Sequence, residues 1–239
     1  MSDSAGQPNA TGRHDRGVAA WLAWTATVIA VAMSFVAAPY PRELVLQHVP
    51  TVVALVAIAV TIRRRWLGSL SLGCLFLFWW LHIVGARWIY SYVPYDAVIQ
   101  SMTGTTLTEL FGWQRNHYDR LVHFASGCLG VPIASELLRR IGGMRWCGSL
   151  IMGIACVLAV GAVYEILEWL LAVTLSPAAA EAYNGQQGDA WDAQKDLALA
   201  GLGAMAAALV FVLAPTILGR PSQGSHPKTP SAPHETSPT

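Results

Sequence analysis

Six apolar runs, each long enough to cross a lipid bilayer, constrain the fold of this chain more than any other feature of its sequence. The runs cover residues 18–38, 43–62, 67–90, 121–138, most of 146–175, and 197–218. A helix needs about 20 apolar residues to span the hydrocarbon core. Inside that core each backbone polar group must find its partner within the chain, as it does in a helix. The pattern therefore predicts an all-α, polytopic membrane protein, a bundle of six transmembrane helices.

The composition agrees with this fold class and excludes others. Charged residues make up 12% of the chain, hydrophobic residues make up 54%, and the mean hydropathy is +0.44. Soluble domains contain roughly 25% charged residues. The net charge of +1, without a basic stripe, excludes nucleic acid as a partner. The four cysteines have no CxxC spacing, so neither a disulfide framework nor a cysteine zinc site is expected.

The polar ends divide the chain into three regions. Residues 1–17 predict a disordered N-terminal tail, residues 18–218 form the transmembrane domain, and residues 219–239, rich in Pro, Ser and Thr, predict a disordered C-terminal tail. A cleaved signal peptide is the rival interpretation of the first run, but its apolar stretch exceeds the usual length of about 7 to 15 residues. The longest interior connection, residues 91–118, contains a candidate interfacial helix at 107–113.

The basic residues predict the orientation of the bundle. With six spans both termini share one side, and that side collects most of the basic residues: Arg13, Arg16, Arg63, Arg64, Arg65, Arg139, Arg140, Arg145, Arg220 and Lys228. The other side keeps Arg42, Arg87, Arg115, Arg120 and Lys195. The positive-inside rule therefore predicts cytoplasmic termini in a bacterial inner membrane.

This orientation brings nearly all the unusual polar residues of the spans into one layer near the periplasmic face. The acids of that layer number six and the basic groups at most four; the acids are Asp119, Glu165, Glu168, Asp189, Asp192 and Asp196. A central aspartate costs about 2.5 to 3.5 kcal/mol on insertion scales. The acids must therefore be paired, hydrated or bound to metal. Glu136 is the exception, because it lies near the cytoplasmic end of its span, where it is expected to snorkel or to pair with Arg139 or Arg140.

Residue type and spacing assign candidate roles within the layer. Asp119 and His123 are four residues apart, and Asp189, Asp192 and Asp196 share a helix face. The predicted metal ligands are Asp119, His123, Asp192, Asp196 and His82. Carboxylate ligands favour Mg²⁺ or Mn²⁺, and recruitment of the two histidines would favour Zn²⁺ or Fe²⁺.

The remaining polar residues receive catalytic and binding roles. Glu165 and Glu168 share a face in an apolar span and are the candidate general bases. Arg87 and Arg120 are the candidate substrate-binding residues, because planar guanidinium groups suit phosphate, although they could simply balance the acids.

Structural interpretations of the same residues stay open. Asp119 and His123 could be an acidic helix start with its satisfied histidine, and Asp189 could be the N-cap of the sixth span. Lys195 could neutralise Asp192. His82, on an aromatic span, is as compatible with a packed core histidine as with a ligand.

Four ordered motifs carry a family resemblance. They are HIVGARWIYSYVP from His82, NHYDRLVHFASG from Asn116, YEILEW from Tyr164 and GQQGDAWDAQKD from Gly185. Together, over most of residues 71–204, they resemble the YjdF-like bacterial inner-membrane proteins. DRLVHF, with Glu165, Glu168, Asp196 and Gly203, is more distantly similar to the VanZ-like membrane proteins associated with glycopeptide-antibiotic tolerance. That match departs at Glu168, where the VanZ-like family tends to have Gln, and at Ala200, where it tends to have Asn.

The resemblance implies that one recurring set of residues works together: Asp119, His123, Glu165, Glu168, Asp192 and Asp196. Neither family supplies an established reaction. The sequence predicts a membrane enzyme that acts on a lipid or lipid-linked envelope precursor with a divalent metal. A proton- or cation-coupled transporter and a non-catalytic structural or regulatory protein are the alternatives. The absence of an inverted repeat and the placement of the acids in one layer argue against a transporter.

Overall fold

The computed structural model describes residues 10–174 and 186–217, and this part of the chain contains helices and no strand. Six long helices and two short ones follow one another in these residues. The long helices are α1 (Ala10–Ser34), α2 (Pro41–Arg64), α3 (Ser69–Arg87), α6 (Tyr118–Arg140), α7 (Trp146–Thr174) and α8 (Asp192–Ile217); the short ones are α4 (Tyr95–Thr103) and α5 (Leu107–Phe111). All six long helices contain a stretch that is long and apolar enough to cross a membrane. The predicted six-helix membrane fold is therefore confirmed.

Two boundaries differ from the sequence prediction. Helix α1 begins at Ala10, within the segment predicted to be a disordered tail, and α4 lies in a connection for which only the second short helix was predicted. Residues 1–9 and the predicted C-terminal tail, 219–239, lie outside the described residues.

Helix α6 is the centre of the bundle. It packs against α3, α7 and α8, while α1 and α2 pack against α3 and against each other. The first three helices thus form one group, and α6 joins them to α7 and α8. Apolar side chains elsewhere on the long helices face outward, such as Val53 on α2, Ile151 on α7 and Val210 on α8. Outward apolar residues are expected where lipid, and not water, surrounds a helix.

Glycines allow α6 and α8 to approach each other closely. A Cβ atom built on Gly127 would collide with the carbonyl oxygen of Ala200, and one built on Gly203 would collide with the carbonyl oxygen of Phe124. The two backbones are therefore in contact at this crossing. Small residues make such contact possible and are typical of helix interfaces in membranes.

Hydrogen bonds connect α3 to α6 at both ends of their antiparallel contact. At one end, Tyr118 Oη donates to the Leu81 carbonyl at 3.0 Å. Toward the other end, Ser71 Oγ donates to the Pro132 carbonyl at 3.2 Å. Beyond it, the Gly68 amide donates to Glu136 Oε2 at 2.9 Å. Glu136 also pairs with Arg140 at 2.7 Å, which confirms the predicted pairing of this acid.

Candidate functional site

The site begins on the first two turns of α6, where Asp119 and His123 lie on one helix face. His123 Nε2 is 3.6 Å from Asp119 Oδ1, and both side chains are largely buried. Burial on the inner face follows from the central position of α6, since its start is covered by α7 and α8. The 3.6 Å separation exceeds ordinary hydrogen-bond length. The two groups therefore face each other without a direct hydrogen bond between these atoms.

Helix α8 adds Asp196 to this pair. One potential ligand atom from each of Asp119, His123 and Asp196 lies within 4.8 Å of the other two. Asp196 is only 2% exposed, and its Oδ1 atom has no hydrogen-bond partner among the described residues. A buried carboxylate oxygen without a donor is costly in a protein interior. These three side chains form what we call the acid-histidine cluster.

Helix α7 brings Glu165 to the other side of the same imidazole. Glu165 Oε1 is 3.7 Å from His123 Nε2 and, like the Asp196 oxygen, is buried without a hydrogen-bond partner within the described part of the chain. Glu168 lies one turn further along α7 and is hydrogen-bonded to Tyr164. The structure therefore brings both predicted glutamates to the cluster region, with Glu165 in contact with His123.

Ion pairs cover the cluster at the end of the bundle where α6 and α8 begin. Arg115 Nη1 pairs with Asp192 Oδ1 at 2.6 Å. Asp189 Oδ2 receives both Arg120 Nη2 and Lys195 Nζ at 2.6 Å. In this structure the carboxylate of Asp192 is an ion-pair partner of Arg115, and its role as a metal ligand stays a prediction. Arg120 likewise balances an acid in this structure, and Lys195 neutralises Asp189 instead of the predicted Asp192.

Amide contacts fasten the same two segments together. The backbone N–H of Asn116 donates to Gln187 Oε1 at 2.9 Å, and Gln187 Nε2 donates to the backbone carbonyl of Asn116 at 3.1 Å. Arg115 also donates to the Gln186 carbonyl at 3.1 Å. We call residues 115–120 and 186–192 with these contacts the polar latch. In the sequence, Arg115 is recognisable only as one of the charges of the layer, and its place immediately before the NHYDRLVHFASG motif is the one signal of its central position here.

Asp189 has a strongly depressed pKa within the latch. The hydrogen bond from Lys195 is the largest cause, followed by the bond from the Trp191 amide, and together they lower the pKa to about 2. Asp189 is therefore ionised at neutral pH. A group whose pKa is lowered by folding stabilises the folded state at pH values above its ordinary pKa, and this stabilisation is lost as the pH falls through the pKa of the folded state. Helix α8 begins at Asp192, so Asp189 lies three residues before it, where its Oδ1 atom accepts a hydrogen bond from the Trp191 backbone N–H at 3.1 Å, as an N-cap side chain does.

His117 lies at the border between the latch and the connection that precedes it. Burial lowers its pKa, and the nearby charges of Arg120 and Arg115 lower it further. Its ring packs against Trp113 with 4.2 Å between ring centroids. A neutral imidazole at physiological pH suits this aromatic contact.

His82, which was predicted as a metal ligand, lies outside the acid-histidine cluster. Its Nδ1 atom is 2.6 Å from Tyr90 Oη, and its Nε2 atom is 2.8 Å from Thr51 Oγ1. Thr51 Oγ1 lies 3.2 Å from His48 Nδ1, and His48 Nε2 lies 2.9 Å from Ser34 Oγ. These five buried side chains form a continuous hydrogen-bonded chain across α1, α2 and α3.

Arg87 also belongs to the packing of the first three helices. Its guanidinium donates to the carbonyls of Ser34 at 2.5 Å and Val36 at 3.0 Å, where α1 ends. The last carbonyls of a helix lack partners within the helix. Arg87 therefore caps α1, and its role as a substrate-binding residue stays a prediction.

Replacing Thr51 with valine is expected to destabilise the protein by about 1–3 kcal/mol, because it leaves buried imidazole nitrogens without their hydroxyl partner. Thr61→Val on the same helix is the control, since the exposed Thr61 hydroxyl bonds only the Ala57 carbonyl. The control is expected to change stability by less than about 0.5 kcal/mol. Thermal unfolding of both purified variants in one detergent measures the difference. Equal unfolding temperatures would show that the hydrogen-bonded chain contributes nothing at Thr51.

The fold and the site together define a class: a multi-pass helical membrane protein with carboxylates and a histidine gathered inside one end of its bundle. The chain belongs to the family described as "Predicted membrane protein (DUF2238)", whose model matches residues 19–216. It is similar to the inner membrane protein YjdF of Escherichia coli (strain K12), with 33% identity over 159 residues that cover 65% of this chain and 71% of that protein. No solved structure matches it. The predicted YjdF-like family and inner-membrane location are thereby confirmed, while the VanZ-like resemblance stays a prediction.

Proposed function

We propose that the acid-histidine cluster binds a divalent cation, and that the protein is a metal-dependent membrane enzyme acting on a lipid or lipid-linked envelope precursor. The observation that carries the proposal is the convergence of Asp119, His123 and Asp196 ligand atoms within 4.8 Å. The partnerless oxygens of Asp196 and Glu165 add to it, because a cation would satisfy buried carboxylates that no donor reaches.

The donor set indicates which cations to test first. Two carboxylates and one imidazole are a mainly hard set, and His82 lies too far away to add a second nitrogen. Such a set favours Mn²⁺ or Mg²⁺ over Zn²⁺ or Fe²⁺. A bound cation would polarise a phosphoryl or carbonyl oxygen or activate water.

Glu165 is the better placed of the two candidate general bases. It lies beside His123, while Glu168 is turned toward Tyr164 on its own helix. A general base must lie close to the proton it removes. We assign that role to Glu165, with Glu168 as a neighbouring carboxyl group one turn further along α7.

The contacts of Arg120 support the proposal that the substrate carries a phosphate group. Its Nη2 atom pairs with Asp189, and its buried Nε atom has no hydrogen-bond partner among the described residues. A guanidinium with an unsatisfied donor beside a cation site suits a phosphate group. The arginine-rich opposite face supports cytoplasmic termini and hence a periplasmic location for this site.

Metal binding is tested with the purified full-length protein and Mn²⁺, by the loss of the free Mn²⁺ signal in electron paramagnetic resonance. We expect stoichiometric binding to the wild type and to Glu136→Gln, the control acid at the far end of α6. Binding should be lost in Asp196→Asn and retained, with weaker affinity, in Glu165→Gln.

Two results would contradict the proposal in different ways. Equal Mn²⁺ binding by Asp196→Asn and the wild type would place any cation elsewhere. No binding by the wild type, together with pH-driven proton flux in liposomes that Glu165→Gln abolishes, would support the transporter in place of the enzyme.

A further inference from the structure

The two short helices α4 and α5 form an arm that is held together from within. The Asp96 carboxylate on α4 accepts hydrogen bonds from the Leu107 amide at 2.9 Å, the Thr108 amide at 3.3 Å and the Thr108 hydroxyl. Thr106 and Glu109 form a reciprocal capping box at the start of α5. Residues 95–111, which we call the interfacial arm, therefore have a fixed shape before they meet any partner.

The charged side chains of the arm form hydrogen bonds within the arm itself. Asp96 and Glu109 are the ionisable acids of residues 95–111, and the sequence of this segment contains no lysine or arginine. Both acids bond to the arm's own backbone. The outer surface of the arm consequently offers no basic group to an anionic lipid and no free acid to a basic protein.

That outer surface is strongly apolar. Met102 is 80% exposed, and Val98, Leu110 and Phe111 are also exposed. Val98 and Met102 are one turn apart and share a face of α4. Exposed apolar residues concentrated in one short segment mark a surface that contacts a partner or a membrane.

The position of the arm identifies that partner. It connects the end of α3 to the start of α6, two helices that cross the membrane. Tyr95 Oη accepts from the His117 amide at 3.0 Å, and Asn116 Nδ2 donates to the Val93 carbonyl at 2.9 Å. These contacts hold the arm against the start of α6, beside the polar latch and at the end of the bundle where α3 ends and α6 begins.

We propose that the interfacial arm inserts its apolar face into the boundary between lipid head groups and acyl chains of the same membrane. Segments with an apolar face and a polar face lie in this layer. Because the arm has no basic residues, its insertion depends on apolar burial and is independent of anionic lipid. It lies beside the polar latch, which covers the acid-histidine cluster.

The experiment measures the membrane depth of two spin labels on α4. Met102→Cys and the control Gln100→Cys, which points to the other side of the same helix, are made after the four native cysteines are replaced by serine or alanine. The full-length protein is reconstituted in phosphatidylcholine vesicles, without and with phosphatidylglycerol. Leu110→Cys on α5 provides a second apolar position should the Met102 label prevent folding.

We expect the ratio of oxygen to water-soluble nickel-chelate accessibility to be several-fold higher at Met102 than at Gln100, and unchanged by phosphatidylglycerol. Equal, water-like accessibility at both positions would overturn the proposal. So would spin–spin broadening at Met102 that disappears on dilution with unlabelled protein, because a second copy of the chain would then cover the face. Neither readout requires metal binding or catalysis, so the proposal stands or fails independently of the proposed function.

Discussion

Gly203→Ala is expected to lower the stability of the protein by about 1–3 kcal/mol, the usual cost of forcing extra atoms into a packed contact. The new Cβ would collide with the Phe124 carbonyl oxygen and lie 3.0 Å from the Cys128 amide nitrogen. Both obstacles are backbone atoms of α6, so only movement of a whole helix relieves them. Since Asp196 lies two turns earlier on α8, this movement would also withdraw it from Asp119 and His123.

Gly201→Ala is the matched control for this prediction, because Gly201 lies on the same helix, two residues away. Its Cβ would meet only Leu158 Cδ2, at an ordinary 3.6 Å. Alanine there is expected to leave stability unchanged or to raise it by up to about 1 kcal/mol through helix propensity. Thermal unfolding and Mn²⁺ binding are measured for both variants. Similar results for the two would show that the glycine crossing does not hold α6 against α8.

Asp192→Ala is expected to have a still larger effect, a loss of about 3–5 kcal/mol, because it leaves a buried cation without its partner. Arg115 pairs with Asp192 at 2.6 Å, and both side chains are largely buried. The guanidinium would then lose this carboxylate, while the backbone carbonyl of Gln186 and a 3.5 Å contact with Asp189 remain. The measurement is unfolding in detergent, with a protease added to detect opening of the polar latch.

Lys195→Ala provides the comparison, since it removes one partner of Asp189 from the same end of the bundle. The lysine side chain is 49% exposed, and Arg120 remains to balance the acid. Loss of an exposed pair costs about 0–1 kcal/mol. If Asp192→Ala were as stable as Lys195→Ala, the Arg115–Asp192 pair would not hold the latch closed.

The sequence predicted the membrane fold and much of the acid layer, because both follow from the cost of placing polar groups in lipid. An apolar run must cross the bilayer as a helix, and intramembrane acids must face one another. The cost of isolated polar groups in lipid thus predicts that Asp119, His123, Glu165 and Asp196 lie together. The structure brings these four side chains to the same end of the bundle.

The positions of His82 and Arg87 away from the cluster have a common physical cause. Spacing along one helix determines which residues share a face, but it does not determine which neighbouring helix that face meets. The sequence predicts that His82 and Arg87 lie in the same membrane layer as the cluster. Helix α3, however, directs their side chains toward α1, α2 and the turn after α3. The sequence also leaves the ion-pair partners of Arg115 and Arg120 undetermined, because several acids lie within reach of both. Helix α4 was missed since it lacks a long apolar run.

The three hydrogen bonds between α3 and α6 fix the position of helices α1 to α3, along the membrane normal, relative to helices α6 to α8. They lie at separate levels along the contact, from Tyr118 near one surface to Gly68 near the opposite one. Hydrocarbon offers no substitute partner to a donor that loses its acceptor. Sliding α3 along α6 by one turn would break all three bonds together, so no intermediate offset is favourable. Only one alignment of the two groups of helices along the membrane normal therefore keeps all three hydrogen bonds.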